Sequence, residues 1–168
     1  QLDSQPTVAN AADDRFYSHY EVKRMGAETL LDAIDVVTGS QTKFKNMPLG
    51  TRAIELPDSN YPDYFLATFG KPRRVSVCEC ERVADENLAQ ALHTLNGDIL
   101  AGKIADKKGR IATLVATKKQ YTESMTDLYM AALARKPSTQ ELAELEKLFK
   151  EAKDPKMFYE DVLWSLCN

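Results

Sequence analysis

Phe69–Gly97 reads FGKPRRVSVCECERVADENLAQALHTLNG, and it divides the chain into two kinds of sequence. Asp85 is placed to cap a helix in which Leu88, Ala91, Leu92 and Leu95 form one apolar stripe, and Asn96-Gly97 supplies the stop. Upstream of that cap, Val77, Glu79 and Glu81 alternate with Cys78, Cys80 and Arg82, so an extended backbone would send the two sets to opposite sides. Before this segment the chain offers one helix and a long irregular stretch. After it the chain offers only short amphipathic helices. The expected fold is therefore mainly α: an irregular multi-helix bundle with a long aromatic-rich loop and at most one short strand pair.

Moving toward the N-terminus, Ala27, Leu30, Leu31, Ile34 and Val37 recur at i, i+3, i+4, i+7 and i+10, and Gly39 follows as a left-handed stop. A helix over 24–39 is expected. Arg24, Glu28 and Asp32 follow one another at steps of four on a neighbouring face, where they would form exposed ion pairs of only ~0.2–0.5 kcal/mol each. Residues 40–82 carry Pro48, Gly50, Pro57 and Pro62 and show no helical period. Within them Thr51–Leu56 (TRAIEL) alternates enough for one short strand, and Tyr61–Phe69 is dense enough in apolar residues for one or two helical turns ended by Gly70. A loop this long in a small domain is either functional or clamped by its own side chains, and the aromatics favour clamping. Residues 1–23 read as an extended arm and a first helical turn, begun at Asp13-Asp14, with Phe16, Tyr17 and Tyr20 packing together. His19, set among them, reads as a hydrogen-bonded structural residue.

Toward the C-terminus, Asp98–Ala105 is a short helix and Gly109 precedes the stripe Ile111, Leu114 and Val115. Thr122 is a cap candidate for a helix through Met125, Leu128, Tyr129 and Leu133 that Lys136-Pro137 would end. Ser138 with Glu141 is a capping box ahead of Leu142, Leu145, Leu148 and Phe149. Asp154-Pro155 starts a last helix burying Phe158, Val162, Leu163 and Leu166, with Trp164 as core or packing surface. Residues 1–168 thus read as a single helical domain, 83–168 being its helical part. Because the chain starts at Gln1 and stops at Asn168 straight after a helical pattern, it is expected to be a piece of something larger.

Composition narrows the function. With 43% hydrophobic and 28% charged residues the chain is ordinary globular protein, and a formal charge of -3 opposes binding to a phosphate backbone. Lys103, Lys107, Lys108, Arg110, Lys118 and Lys119 are interrupted by apolar residues at helical spacing and read as the wet side of helices rather than a nucleic-acid patch. No apolar run reaches the ~20 residues of a membrane span.

Three weak constellations carry chemistry. Cys78 and Cys80 could hold a soft metal with His93, but zinc takes four N or S ligands and no second C-x-C or C-x-x-C follows. A disulfide among Cys78, Cys80 and Cys167 is the better reading if the protein is exported. Glu79, Glu81, Asp85 and Glu86 could supply paired carboxylates for a hydrolase or carbohydrate-handling site, with Glu81 as acid or base, Arg82 orienting it and His93 nearby. The interleaved Arg73, Arg74 and Arg82 make an ion-pair network the simpler account. G-x-S-x-G, a Gly-rich phosphate loop and C-x-x-C-H are all absent from the sequence.

An ordered set of motifs runs through almost the whole chain: Arg24-Met25-x-Ala27-Glu28-x3-Asp32 with Thr38-Gly39; Phe69-Gly70-x-Pro72-x-Arg74; Cys78-Glu79-Cys80-Glu81-Arg82; Gln90-Ala91-Leu92-His93-x-Leu95-Asn96-Gly97; and Tyr129-x-Ala131-Ala132-Leu133-x-Arg135-x-Pro137-x3-Glu141-Leu142. It resembles the planctomycete-specific C-terminal domain of unknown function found in large exported bacterial proteins, many of which carry a cytochrome-c-type haem domain. The resemblance implies a periplasmic or cell-surface setting, which strengthens the disulfide reading. It also implies a place beside other domains of the same parent chain. It supplies no activity and no catalytic residues, and any haem would sit in another domain, so no cofactor is expected in this fragment. The expectation is a non-catalytic interaction or packing module.

Overall fold

The structure is a computed structural model that describes residues 7–13, 15–16, 18–20, 24–57, 61–71 and 98–167. Seven α-helices occur among the described residues, with no strand: α1 (Ala27–Thr38), α2 (Tyr64–Thr68), α3 (Asp98–Ile104), α4 (Arg110–Thr117), α5 (Tyr121–Leu133), α6 (Thr139–Glu151) and α7 (Pro155–Cys167).

α1 is the axis of the molecule. It begins after Gly26, three residues later than the expected start at Arg24, and ends on Gly39 in the left-handed conformation (φ 67°), as the glycine predicts. Its N-terminal half, through Ala27 and Leu31, joins Phe44, Ala53, Phe65 and Leu66 in one buried cluster. Its C-terminal half, through Ile34 and Val37, packs against a second cluster built by Ile104, Ile111, Leu114, Met125, Leu128 and Leu163 of α3, α4, α5 and α7. The bundle and the loop-rich part are thus laid along one helix.

Aromatic side chains clamp the loop after α1, as expected. Phe44 is buried against the edge of Tyr61 (centroids 5.7 Å), whose hydroxyl donates to the Lys45 carbonyl (2.8 Å), and Phe65 stacks on Phe69 (4.4 Å). α2 is capped by Asp63, which accepts from Leu66 N–H, and it is followed by Gly70 at φ 82°.

The short strand at Thr51–Leu56 does not form; Ala53–Glu55 is a single 3₁₀ turn. The cause is a long-range cap. Both oxygens of Asp32 on α1 accept from this turn, Oδ1 from Ala53 N–H (2.6 Å) and Oδ2 from Ile54 N–H (3.2 Å). Arg52 and Glu55 close the turn from outside through the Arg52 N–H and guanidinium, both donating to the Glu55 carboxylate. Asp32 therefore is no member of an exposed row of ion pairs: it is the fastener between two elements.

The N-terminal region also departs from expectation. Residues 7–13 form turns, with Asn10 N–H donating to the Thr7 carbonyl and Asp13 N–H to the Asn10 carbonyl. Asp13 starts no helix. Its carboxylate gathers the N–H groups of Arg15, Phe16 and Ser18, an arrangement that competes with helical bonds. Phe16 and Tyr20 are exposed rather than packed, Tyr17 lies outside the described residues, and His19 Nδ1 is buried with no hydrogen-bond partner among the described residues.

In the helical part the capping box is present, Ser138 Oγ accepting from Glu141 N–H and Glu141 accepting from Ser138 N–H (2.7 Å). Asp154 accepts from Lys156 N–H (2.9 Å) at the start of α7. α5 is shifted from its expected ends: Gln120, not Thr122, is the N-cap, and the helix stops at Leu133 with Ala134 left-handed at φ 53°. Thr122 lies inside the helix and is therefore no cap. Leu148 stands more than half exposed and Trp164 about a third, on the packing surface rather than in the core.

Candidate functional site

Two aspartates one turn apart on α1 shape the principal groove. Thr29, Ala33 and Val36 lie on the face of α1 that the apolar stripe leaves over, and Asp32 and Asp35 border it. Opposite stand the loop residues Gln41, Gly50 and Thr51 and the 3₁₀ residue Ile54, while Ala131 and Ala132 of α5 close the end. The groove holds about 640 Å³, within the range of small-ligand sites at roughly 300–1,000 Å³. Val36 and Ile54, 69% and 60% exposed, stand on its walls.

Its charged groups are all engaged inside the chain. Asp32 holds the 3₁₀ turn as described. Asp35 accepts from Thr42 N–H (2.7 Å) through Oδ2 and from Thr42 Oγ1 (2.9 Å) through Oδ1, and the Lys103 ammonium pairs with the same Oδ1. Lys103 also donates to Thr42 Oγ1 (2.8 Å) and the Ser40 carbonyl (3.4 Å). Lys103 is thus buried and paired, and does not belong to a wet basic face. Arg52, the remaining charge at the groove, is paired to Glu55. The Arg52 N–H first, and its guanidinium second, hold the Glu55 carboxyl below its ordinary range.

The rest of the basic cluster disperses. Arg110 uses its guanidinium to cap α1, Nε donating to the Val37 carbonyl (2.7 Å) and Nη2 to the Val36 carbonyl (3.0 Å). Lys119 pairs with Asp127 of α5 (2.9 Å). A hollow of about 250 Å³ between α4 and α5 is lined in part by these groups. Asp106 supports the α3–α4 turn by accepting from Ser40 Oγ (2.6 Å) and Lys108 N–H (2.9 Å), in that order the causes that hold its carboxyl below the ordinary range.

The residues singled out from the sequence fall mostly elsewhere. Cys78, Glu79, Cys80, Glu81, Arg82, Asp85, Glu86 and His93 lie outside the described residues. Cys167 is a free thiol near the end of α7, half-buried against the bundle core, and burial pushes its pKa up. Among the described residues no group of three or more His, Cys, Asp or Glu is placed to hold a metal ion, and no helix is long and apolar enough to cross a membrane. The groove itself escapes motif reading. Its one sequence signal is the second, small-residue face of α1 at Thr29, Ala33 and Val36.

Chemically, the groove offers aliphatic carbon walls beside carboxylates that already accept bonds from this chain. Such a surface can bury apolar groups of another molecule. No curated protein and no solved structure matches the chain. A family profile covers residues 1–149 of the 168, from the N-terminal turns into α6, and on that match the chain belongs to PSD1, the family described as proteins of unknown function (DUF1553).

Proposed function

We propose that this chain is a non-catalytic packing and interaction module of an exported multidomain protein, seated against other domains of its parent chain. The observation that carries the reading is the groove along α1, where Val36 and Ile54 stand exposed while Asp32, Asp35 and Arg52 are committed to internal partners. Exposed aliphatic surface is favourable to bury, at roughly 25 cal/mol per Å², and contiguous patches of it mark interaction sites. Acid–base work asks instead for a carboxylate able to exchange a proton with a substrate, whereas these oxygens already accept fixed N–H, O–H and ammonium donors.

The test uses the full-length parent protein. Val36→Glu places a charge where no partner awaits it and should free the domain from its neighbours, seen as new protease cleavage between domains and a larger radius of gyration. Unchanged cleavage and dimensions would refute the packing role. The exported setting and the lack of a cofactor in this fragment are tested together on non-reduced protein, by thiol titration in denaturant and elemental analysis. One free thiol and no bound metal per chain are expected. Three free thiols with a stoichiometric metal would turn the reading toward a site on Cys78, Cys80 and His93.

A further inference from the structure

We infer that the folding unit of this chain runs through α7, so that the PSD1 domain here is larger than the part its family profile covers. The profile ends at residue 149, whereas α6 runs on to Glu151 and α7 occupies Pro155–Cys167. A boundary that falls inside one helix leaves two readings of the next. Either α7 is a linker helix leading out of the domain, or it is a wall of the domain. A linker helix standing in water is polar all round. In α7, Phe158, Tyr159, Val162 and Leu163 follow at i, i+1, i+4 and i+5, share one face, and are each at most 8% exposed.

That face fills a trough whose other walls lie within the matched part. Leu100 and Ile104 of α3, Ile111 and Leu114 of α4, and Met125 and Leu128 of α5 belong to the same buried cluster. Without α7 the trough would stand open as a contiguous apolar surface of a kind that monomeric proteins rarely expose. α6 depends on α7 as well. None of its residues reaches full burial, and its largest side chain, Phe149, packs its ring on Phe158 (centroids 5.3 Å) and Tyr159 (5.7 Å) of α7 and on Tyr121 (5.1 Å) of α5. The last residue that the profile matches is thus held by residues beyond it.

The experiment is hydrogen exchange on the whole chain, read by mass spectrometry along a urea series. In one cooperative unit, residues 158–163 of α7 and 125–129 of α5 open together, and their protection should agree within about tenfold. Leu163→Ala should lower protection in α5 as much as in α7, by at least about thirtyfold. Met157→Ala, on the side of α7 that is 61% exposed, should leave both unchanged. Exchange in α7 more than about tenfold faster than in α5, or an α5 indifferent to Leu163→Ala, would overturn the inference. A second measurement keeps the core residues intact. A protease site inserted after Lys153 is cut in the folded chain, and the α7 fragment should stay with the remainder through gel filtration. Its departure from a remainder that still melts cooperatively would overturn the inference too.

Discussion

Asp32 shows what a single carboxylate does when it accepts two backbone N–H groups from a neighbouring element. Asp32→Ala leaves both donors of the 3₁₀ turn without a partner and should cost about 2 kcal/mol in urea unfolding, with Asp32→Asn losing roughly half of that. Glu141 does similar work within its own turn, joined to the Arg135 guanidinium (2.7 and 2.9 Å) and to Ser138 N–H. The Arg135 bond, then the Ser138 N–H, hold its pKa down at about 2 against an ordinary 4.5. The folded-state value is depressed, so this stabilisation is complete above pH ~4.5 and is lost as pH falls toward 2. Melting temperatures of wild type and Glu141→Gln should therefore differ at neutral pH and converge across that interval. Ser138 and Glu141 were legible from the spacing S-x-x-E because both partners sit within one turn. Asp32 was not, because its partners lie 21 and 22 residues away and no local pattern announces them. His19 was not legible for a different reason: Phe16 and Tyr20, the described aromatics beside it in sequence, face the solvent.

Between elements, close approach and buried pairing replace pattern. Lys103 of α3 is 10% exposed and Asp35 of α1 18%. Lys103→Met strands a buried carboxylate and should cost about 3 kcal/mol, with little relief at high salt because the pair is shielded from the solvent ions. Gly109, at the N-cap of α4, sits so near α1 that an added Cβ would lie 3.0 Å from the Thr38 carbonyl oxygen and 3.2 Å from that of Asp106. Its φ of −74° suits any residue. The conformational gain of Gly109→Ala, about 0.4–1 kcal/mol, is outweighed by an overlap cost of about 1–3 kcal/mol, and calorimetry should show net destabilisation. α1, α3, α6 and α7 were readable from stripes and caps. TRAIEL was misread because alternation over a few residues fits a strand and a capped 3₁₀ turn alike; the deciding hydrogen bonds come from another element. Lys103 was misread for a related reason: periodicity placed it on a wet face, and a partner on α1 made burial affordable.

Across the whole molecule, the mainly helical architecture was evident from periodicity alone, while the groove was not, since it arises only where the leftover face of α1 meets a loop and the end of α5. The bundle core should behave as ordinary close packing: Leu128, fully buried on α5, should cost about 2–5 kcal/mol when truncated to alanine. Cys167, half-buried with its pKa raised by desolvation, should react with iodoacetamide at pH 8 far more slowly in the native chain than in denaturant. α1 serves both hydrophobic clusters, with Ile34 touching each. A helix advances by about 100° per residue, so one alanine inserted after Ala33 would swing Ile34 and Val37 away from the bundle cluster and Asp35 away from Lys103, while Ala27 and Leu31 kept their places. The same insertion after Lys153, in the exposed link before α7, should be tolerated. Residue count in α1 is therefore under tighter constraint than residue identity, and related chains should vary in length almost anywhere before they vary there.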